Sequence, residues 1–133
     1  SNFNASRYEA FLRACTVIPA VNQVEAHIFF QQRGLLEEMK KHGTHMQAWS
    51  PFAAGKNDFF SNPVLRALGL AHNKTPAQIA LKYLVQLGIS VIPKSSHRER
   101  MRENLGIFDF QLPDEDMQRI RALDGGKTLF GWY

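Results

Sequence analysis

Hydroxyl and cationic side chains crowd together directly after a short apolar run, in the stretch IPKSSHRER that ends at Arg100. Lys94, Ser95 and Arg100 are donors that suit an anion, because Arg can bind phosphate through two parallel hydrogen bonds and Lys adds a point charge. Ser96 and Glu99 have capping-box spacing, so a helix is predicted to begin just after Ser96. Free N–H groups at such a helix start also favour anions. The alternative is a capped surface helix whose charges are solvated.

Polar or aromatic groups also follow two earlier apolar runs. The three runs are predicted strands, at residues 17–21, 46–49 and 89–93. None alternates cleanly, so we expect parallel strands that are covered on both faces. The first run leads into Gln23 and Glu25, and the second ends in Trp49 and Ser50. Since ligands of parallel β/α folds bind beyond the carboxyl ends of the strands, these positions predict a binding site there.

Helical periodicity connects the predicted strands. The strongest helix follows Thr75, which is the predicted N-cap, with Pro76 at the first helical position and Gln78 completing a capping box. Ser6 and Glu9 have the same spacing in the first helix. The predicted helices cover about 5–15, 32–42, 62–70, 76–87, a segment after 96, and 114–123. Alternating strands and helices predict an α/β fold, and three strands cannot close a barrel.

Composition limits the class of protein. The 133 residues include 44% hydrophobic and 21% charged residues with a net charge of +4, which fits one globular domain and argues against a nucleic-acid-binding protein. Cys15 is the only cysteine, so no intrachain disulfide forms, and we expect a cytoplasmic protein. No apolar run is long enough to span a membrane, and the first ten residues do not resemble a signal peptide. The five histidines show no metal-ligand spacing, so we expect no metal site.

Seven short motifs, in order, resemble the aldo-keto reductases. They are SNF at 1–3, PAVNQVE at 19–25, AWSPF at 48–52, KTPAQIAL at 74–81, VIPKS at 91–95, REN at 102–104 and FDFQL at 108–112. The resemblance covers essentially the whole chain but only the second half of the family's fold. It implies the C-terminal part of a TIM (β/α)8 barrel, with about three to four β/α units in an incomplete barrel. Residues 1–133 would form this half-barrel, including a C-terminal loop at 124–133.

The resemblance also implies an NADPH/NADP site. Family members transfer a hydride between this cofactor and a small carbonyl compound or alcohol. By resemblance, Ser1, Asn2 and Gln23 would bind the nicotinamide carboxamide, and Trp49 would stack on its ring, where the family commonly has Tyr. The alternatives are a satisfied buried amide for Gln23 and a core tryptophan for Trp49. Ser50 and Phe52 would lie in the segment that covers the pyrophosphate.

The same resemblance assigns the adenosine end of the cofactor. Lys94, Ser95 and Arg100 match positions that bind the 2′-phosphate, while Glu103 and Asn104 match positions near the adenine. The C-terminal TLFGWY resembles the family's final loop, so Trp132 and Tyr133 are candidate substrate contacts, with an aromatic tail that only packs as the alternative.

The catalytic Asp, Tyr, Lys and His of the family lie in the first half of its barrel, and no segment here resembles those motifs. We therefore assign no catalytic residue and predict that the chain alone is inactive. Two functions remain: a portion of an NADPH-dependent oxidoreductase, or a half-barrel that binds cofactor or assembles without catalysis. We expect pairing with an N-terminal half or a second chain, and no nucleic-acid or membrane partner.

Overall fold

A computed structural model describes residues 1–132 and shows a three-stranded sheet with six α-helices. The strands are β1 (Val21–Glu25), β2 (His45–Trp49) and β3 (Ser90–Val91). The helices are α1 (Ala5–Ala14), α2 (Arg33–Lys41), α3 (Pro63–His72), α4 (Pro76–Gln86), α5 (Arg98–Leu105) and α6 (Asp114–Arg121). An irregular 3₁₀ segment, Ala53–Ser61, follows β2. Tyr133 lies outside the described residues.

The strands are parallel and lie in the order β1-β2-β3. Val21 pairs with His45 and Glu25 with Trp49, so the carboxyl ends of β1 and β2 are level. The connections between successive strands pass through helices, as parallel pairing requires. The expected alternation of strands and helices is present. Within the described sheet, β1 and β3 are the edge strands, and each pairs with β2 on one side only.

The first strand is four residues later than expected. Residues 17–21 were predicted as the strand because they are apolar, but Val17 is 77% exposed and lies in the loop after α1. The strand instead covers the polar residues Asn22 and Gln23, which the sequence pattern placed beyond its end. Pairing with β2 outweighs the low strand propensity of these two amides.

The expectation that the sheet is covered on both faces was wrong for this chain. Asn22, Val24, Met46 and Ala48 are buried under the helices. Residues 21, 23, 45 and 47 on the opposite face are exposed or half-buried. Because successive side chains of a strand point to opposite faces, this second face of the sheet is open except at the end of β1, where Glu25 is buried. That open face and the carboxyl ends of the strands position the candidate site.

The helices are held by local caps and by one hydrophobic core. Thr75 and Gln78 form the predicted capping box at the start of α4, with Pro76 as the first helical residue. In α1 the cap is Asn4, whose side chain accepts from Arg7 N, and not the predicted pair Ser6 and Glu9. The core includes Tyr8, Met39, Phe59, Leu65, Leu68, Ile79, Tyr83, Leu84 and Ile120. In the part of the chain that the structure describes, no helix is long and apolar enough to cross a membrane.

Candidate functional site

The carboxyl ends of the strands bring the predicted site residues to one edge of the sheet. Glu25 and Trp49 are partners in the ladder at the ends of β1 and β2. Ile92 N donates to Ala48 O over 3.3 Å, which brings the chain leaving β3 to the same edge. The candidate site therefore begins where parallel β/α folds bind their ligands.

Asn2, Gln23 and Trp49 form one hydrogen-bonded group at this edge. Asn2 N donates to Gln23 O over 2.8 Å, and the Trp49 indole Nε1 donates to Asn2 Oδ1 over 2.7 Å. Gln23 Nε2 donates to Gln47 Oε1 over 2.6 Å. The side chains of Gln23 and Trp49 are half-buried, and Ser1 is exposed. The group offers amide donors and acceptors beside an indole ring, which is the chemistry that a nicotinamide requires.

A buried amide that the sequence analysis missed holds the N-terminal residues in place. Asn22 Nδ2 donates to Phe3 O over 2.9 Å, and Phe3 N donates to Asn22 Oδ1 over 3.3 Å. Asn2 adopts a φ of 58°, in the left-handed region that Asn tolerates better than most residues. Asn22 thereby fixes the register of residues 2 and 3 against β1. Its position next to Gln23 was the only signal of this role in the sequence.

Aromatic rings from the C-terminal segment lie against Trp49. The centroid of the Phe130 ring is 5.3 Å from that of Trp49, and the centroid of the Trp132 ring is 6.4 Å away, both in edge-to-face geometry. Trp132 is 63% exposed. Trp49 is thus part of an aromatic group at the surface of the open edge rather than a fully buried core residue. The substrate contact predicted for Tyr133 lies outside the described residues.

A tight turn after β2 leads from Trp49 to the second half of the site. Ser50 has a φ of 51°, and its carbonyl accepts from Ala53 N over 2.8 Å. Phe52 then packs against the rings of Phe59 and Phe60, with centroid separations of 5.9 and 5.6 Å. Ser50 and Phe52, both half-buried, therefore lie between the Trp49 group and the cationic loop after β3.

A cavity of about 320 Å³ brings six of the predicted residues together. The predicted residues among its lining are Phe52, Lys94, Ser95, Arg100, Glu103 and Asn104. They come from the turn after β2, the loop after β3 and helix α5. Lys94 and Arg100 are exposed, and their side chains make no hydrogen bond or ion pair with residues 1–132. Two cations that have no hydrogen-bond or ion-pair partner in the described part of the chain thus face a recess that an anion could enter.

The helix after this loop begins differently from the prediction. Its N-cap is His97, which makes no side-chain cap bond, so Ser96 and Glu99 do not form a capping box. Ser95 Oγ instead accepts from His97 N over 3.1 Å. The hydroxyl of Ser95 therefore closes the turn, and the first N–H groups of α5 have no side-chain cap.

Thr75 positions Glu103 in the cavity wall. Its Oγ1 donates to Glu103 Oε1 over 2.7 Å while also accepting from Gln78 N. The capping box of α4 is thereby linked to α5. Thr75 and Phe60 line the cavity but were not predicted, since no local pattern connects α4 or Phe60 with the loop after β3.

A buried acid–histidine pair lies just beyond the end of β1. His27 Nε2 is 2.9 Å from Glu25 Oε1, and both side chains are fully buried. Burial lowers the pKa of His27, and this effect outweighs the hydrogen bond and charge of Glu25 and the charge of Asp124, which raise it. His27 is therefore neutral at neutral pH, with its proton on Nε2 facing Glu25.

The lowered pKa of His27 predicts a loss of stability in mild acid. Below about pH 6.5 the unfolded chain binds a proton at His27 that the folded chain does not, so the free energy of unfolding falls as pH decreases. Urea midpoints measured from about pH 7.5 to about pH 5.5 should therefore decrease less in His27→Gln than in the original chain. His45→Gln, at an exposed histidine, is the matched control. Equal pH dependence in the His27 variant and the original chain would contradict the prediction.

The described residues contain no group of three or more His, Cys, Asp or Glu side chains that could hold a metal ion.

Comparison with known proteins identifies the class to which this site belongs. The model of the aldo/keto reductase family matches residues 1–125. The 9,11-endoperoxide prostaglandin H2 reductase of Trypanosoma cruzi is 39% identical over 132 residues, covering 98% of this chain and 47% of that protein. Aldose reductase B of Dictyostelium discoideum is 43% identical, covering 93% of this chain and 40% of that protein. The chain spans less than half the length of these two relatives.

Solved structures agree with the sequence relatives. MGS-M4, an aldo-keto reductase from a deep-sea metagenome library, superposes with a TM-score of 0.95 at 35% identity, covering 99% of this chain and 50% of that one. A mutant of Gox0644 in complex with NADPH gives a TM-score of 0.88 at 37% identity, covering 96% and 47%.

The chain belongs to the aldo/keto reductase family of oxidoreductases. Its fold is part of a TIM barrel and accounts for about half of the related chains, which confirms the predicted fold class.

Proposed function

We propose that this chain is the cofactor-holding, C-terminal half of an NADPH-dependent reductase that converts aldehydes or ketones to alcohols. The observation that carries the proposal is the cavity in which Lys94, Ser95 and Arg100 face the same recess as Glu103 and Asn104. Two of these residues are cations without a protein partner among residues 1–132, and a 2′-phosphate would supply the missing anion. The related structure of Gox0644 in complex with NADPH supports the choice of cofactor.

The opposite end of the site suits the nicotinamide. Asn2 and Gln23 carry both donors and acceptors, and Trp49 offers an indole ring at the open edge. We assign the carboxamide to Ser1, Asn2 and Gln23 and the stacking role to Trp49. When bound, the cofactor supplies the hydride, while these residues orient its ring. Trp132 and Tyr133 are proposed substrate contacts.

We propose that the catalytic residues belong to a second, N-terminal half of the barrel. No segment of this chain resembles the family motifs that carry the catalytic Asp, Tyr, Lys and His. A second cavity, of about 610 Å³, lies beside β3 and is lined by apolar residues that include Ile89, Met101 and Phe108. Together with the open sheet face and the outer side of β3, it offers the surface that an N-terminal half would cover. The single cysteine, Cys15, fits a reducing cytoplasm.

A competing function is a half-barrel module that binds cofactor, or assembles with another chain, and performs no hydride transfer. The observation that favours this candidate is that no segment of this chain resembles the motifs of the family's catalytic residues. Both functions use the same cofactor residues, so they differ only in whether an assembled form turns over a carbonyl substrate.

Titration with NADPH and NADH tests the cofactor assignment. In a Trp132→Phe background Trp49 is the only tryptophan, so quenching of its emission reports binding near the proposed nicotinamide site. We expect NADPH to bind more tightly than NADH, because only NADPH carries the 2′-phosphate. Lys94→Ala should lower the affinity for NADPH and leave that for NADH unchanged. If the Trp132→Phe chain, with Lys94 and Arg100 intact, bound NADPH and NADH with equal affinity, the assignment of the 2′-phosphate to these residues would be contradicted.

A further inference from the structure

A buried carboxylate at the end of β1 is not used by the proposed cofactor site. The side chain of Glu25 is fully buried, and three donors converge on it. Leu129 N donates to Oε1 over 2.8 Å, His27 Nε2 donates to the same oxygen over 2.9 Å, and the Thr128 hydroxyl donates to Oε2. Within residues 1–132, no lysine or arginine forms an ion pair with Glu25. A buried acid held this way requires its hydrogen-bond donors, since burying a carboxylate without them is costly.

Two of the three donors come from the C-terminal segment. Thr128 and Leu129 are 103 and 104 residues away from Glu25 in sequence. The carboxylate therefore fixes a distant part of the chain at the mouth of the site. His27 completes the set from the β1 side and keeps one oxygen of Glu25 oriented toward Leu129 N.

Thr128 connects Glu25 to the residues that follow it through its hydroxyl group. Its Oγ1 donates to Glu25 and accepts from Phe130 N over 3.1 Å and from Gly131 N over 2.8 Å. A single hydroxyl thus organises a turn through three hydrogen bonds. The direction in which residue 130 leaves the turn depends on where Glu25 places that hydroxyl.

After this turn, the rings of Phe130 and Trp132 pack against Trp49. Phe130 lies edge-to-face against Trp49, and Trp132 contacts the same indole. Lys56 supports the turn from the other side, since its Nζ donates to Leu129 O over 3.2 Å and lies 4.5 Å from the centre of the Phe130 ring. Glu25 and Trp49 are neighbours in the ladder, but no side-chain hydrogen bond joins them among residues 1–132, so the hydrogen-bonded route from the carboxylate toward the indole runs through Thr128 and Phe130.

We propose that Glu25 is a positioning residue, whose carboxylate holds the segment Thr128–Trp132 against Trp49 and so determines the surface that a bound ring would meet. The identity of that ring as a nicotinamide rests on the proposed function. The anchoring of the segment by Glu25 is independent of the proposed function. Glu25 was among the polar strand-end positions that predicted a site, but its anchoring role was not predicted, because Thr128 and Leu129 lie at the other end of the chain.

Acrylamide quenching of Trp49 tests the proposal without any cofactor. In the Trp132→Phe background, Glu25→Gln replaces one acceptor oxygen with a donor that faces Thr128 or His27, and Thr128→Val removes the hydroxyl while keeping the side-chain shape. Both changes should raise the quenching constant of Trp49 by about twofold or more, because the segment opens locally and uncovers the indole. Thr128→Ser keeps the hydroxyl and should restore the original value. Glu37→Gln makes the same chemical change at an exposed helix position and is the matched control.

An unchanged quenching constant in both Glu25→Gln and Thr128→Val would overturn the proposal. A rise in Thr128→Ser equal to that in Thr128→Val would also overturn it, because the hydroxyl would then not carry the anchor. If Glu25→Gln fails to fold because an amide is buried at position 25, the quenching constant of Thr128→Val alone decides the test. Since the measurement needs no NADPH, a chain that fails to bind NADPH contradicts the proposed function and leaves this test intact.

Discussion

Arg100→Ala is expected to weaken NADPH binding by about tenfold or more and to leave NADH binding within about twofold of its original value. A hydrogen bond to a charged group contributes roughly 1.5–3 kcal/mol, and the guanidinium can make two of them to one phosphate. Arg100 lines the cavity with Lys94 and Ser95, and its side chain has no partner among residues 1–132. Removing it therefore breaks no side-chain hydrogen bond or ion pair within the described chain.

Isothermal titration with NADPH, NADH and 2′,5′-ADP measures this effect. Arg102→Ala, on the same exposed helix but outside the cavity lining, is the matched control and should behave like the original chain. The affinity for 2′,5′-ADP should fall with that for NADPH, because both carry the phosphate. A parallel loss for NADH would place Arg100 elsewhere on the cofactor and would contradict the assignment.

The second large effect concerns catalysis. The chain alone should oxidise no NADPH with a reactive aldehyde above the rate of a Lys94→Ala/Arg100→Ala variant. The physical reason is that the proposed function places the proton donor in the other half of the barrel, since general acid catalysis by itself typically contributes about 10²–10⁴-fold to a rate. Co-expression with the N-terminal half of a full-length relative, cut at the residue aligned with Ser1, should produce NADPH-dependent reduction.

The control for that experiment is the same N-terminal half with its catalytic Tyr replaced by Phe. The assembled control should form the same complex and remain inactive, which separates assembly from chemistry. Reductase activity of the chain alone would contradict the assignment of all catalytic residues to the other half. An assembled complex that contains the intact N-terminal half and stays inactive would favour the module without hydride transfer.

Local patterns predicted those parts of the fold that depend on neighbouring residues. The capping box of Thr75 and Gln78 begins α4 as expected, because both partners lie within one helical turn. The same pattern failed at Ser96 and Glu99, where the hydroxyl of Ser95 closes the turn first. Residues 17–20 were misassigned to the first strand because an apolar run alone does not show which residues find a pairing partner.

The candidate site was predictable to the extent that its residues follow strand ends or belong to recognisable motifs. The motifs named Phe52, Lys94 and Arg100 as cofactor residues, and the structure brings the three to one cavity; their cofactor roles are proposals. The hydrogen bond between Thr128 and Glu25 escaped prediction because a contact across 103 residues leaves no local pattern. The open face of the sheet escaped it as well, since burial depends on strands that are not among the three described.

The shortness of β3 has a consequence for motion. This strand has only two residues, both half-buried, and is paired with β2 alone, so it belongs to the part of the sheet with the least protection against local unfolding. Lys94 and Ser95 follow it almost immediately. A phosphate held by these residues would therefore favour the docked strand by mass action, and the backbone amide of Ile92, which donates to Ala48 O of β2, would exchange with solvent deuterium more slowly in the bound form. Binding of the cofactor phosphate and docking of β3 onto β2 would therefore be thermodynamically coupled.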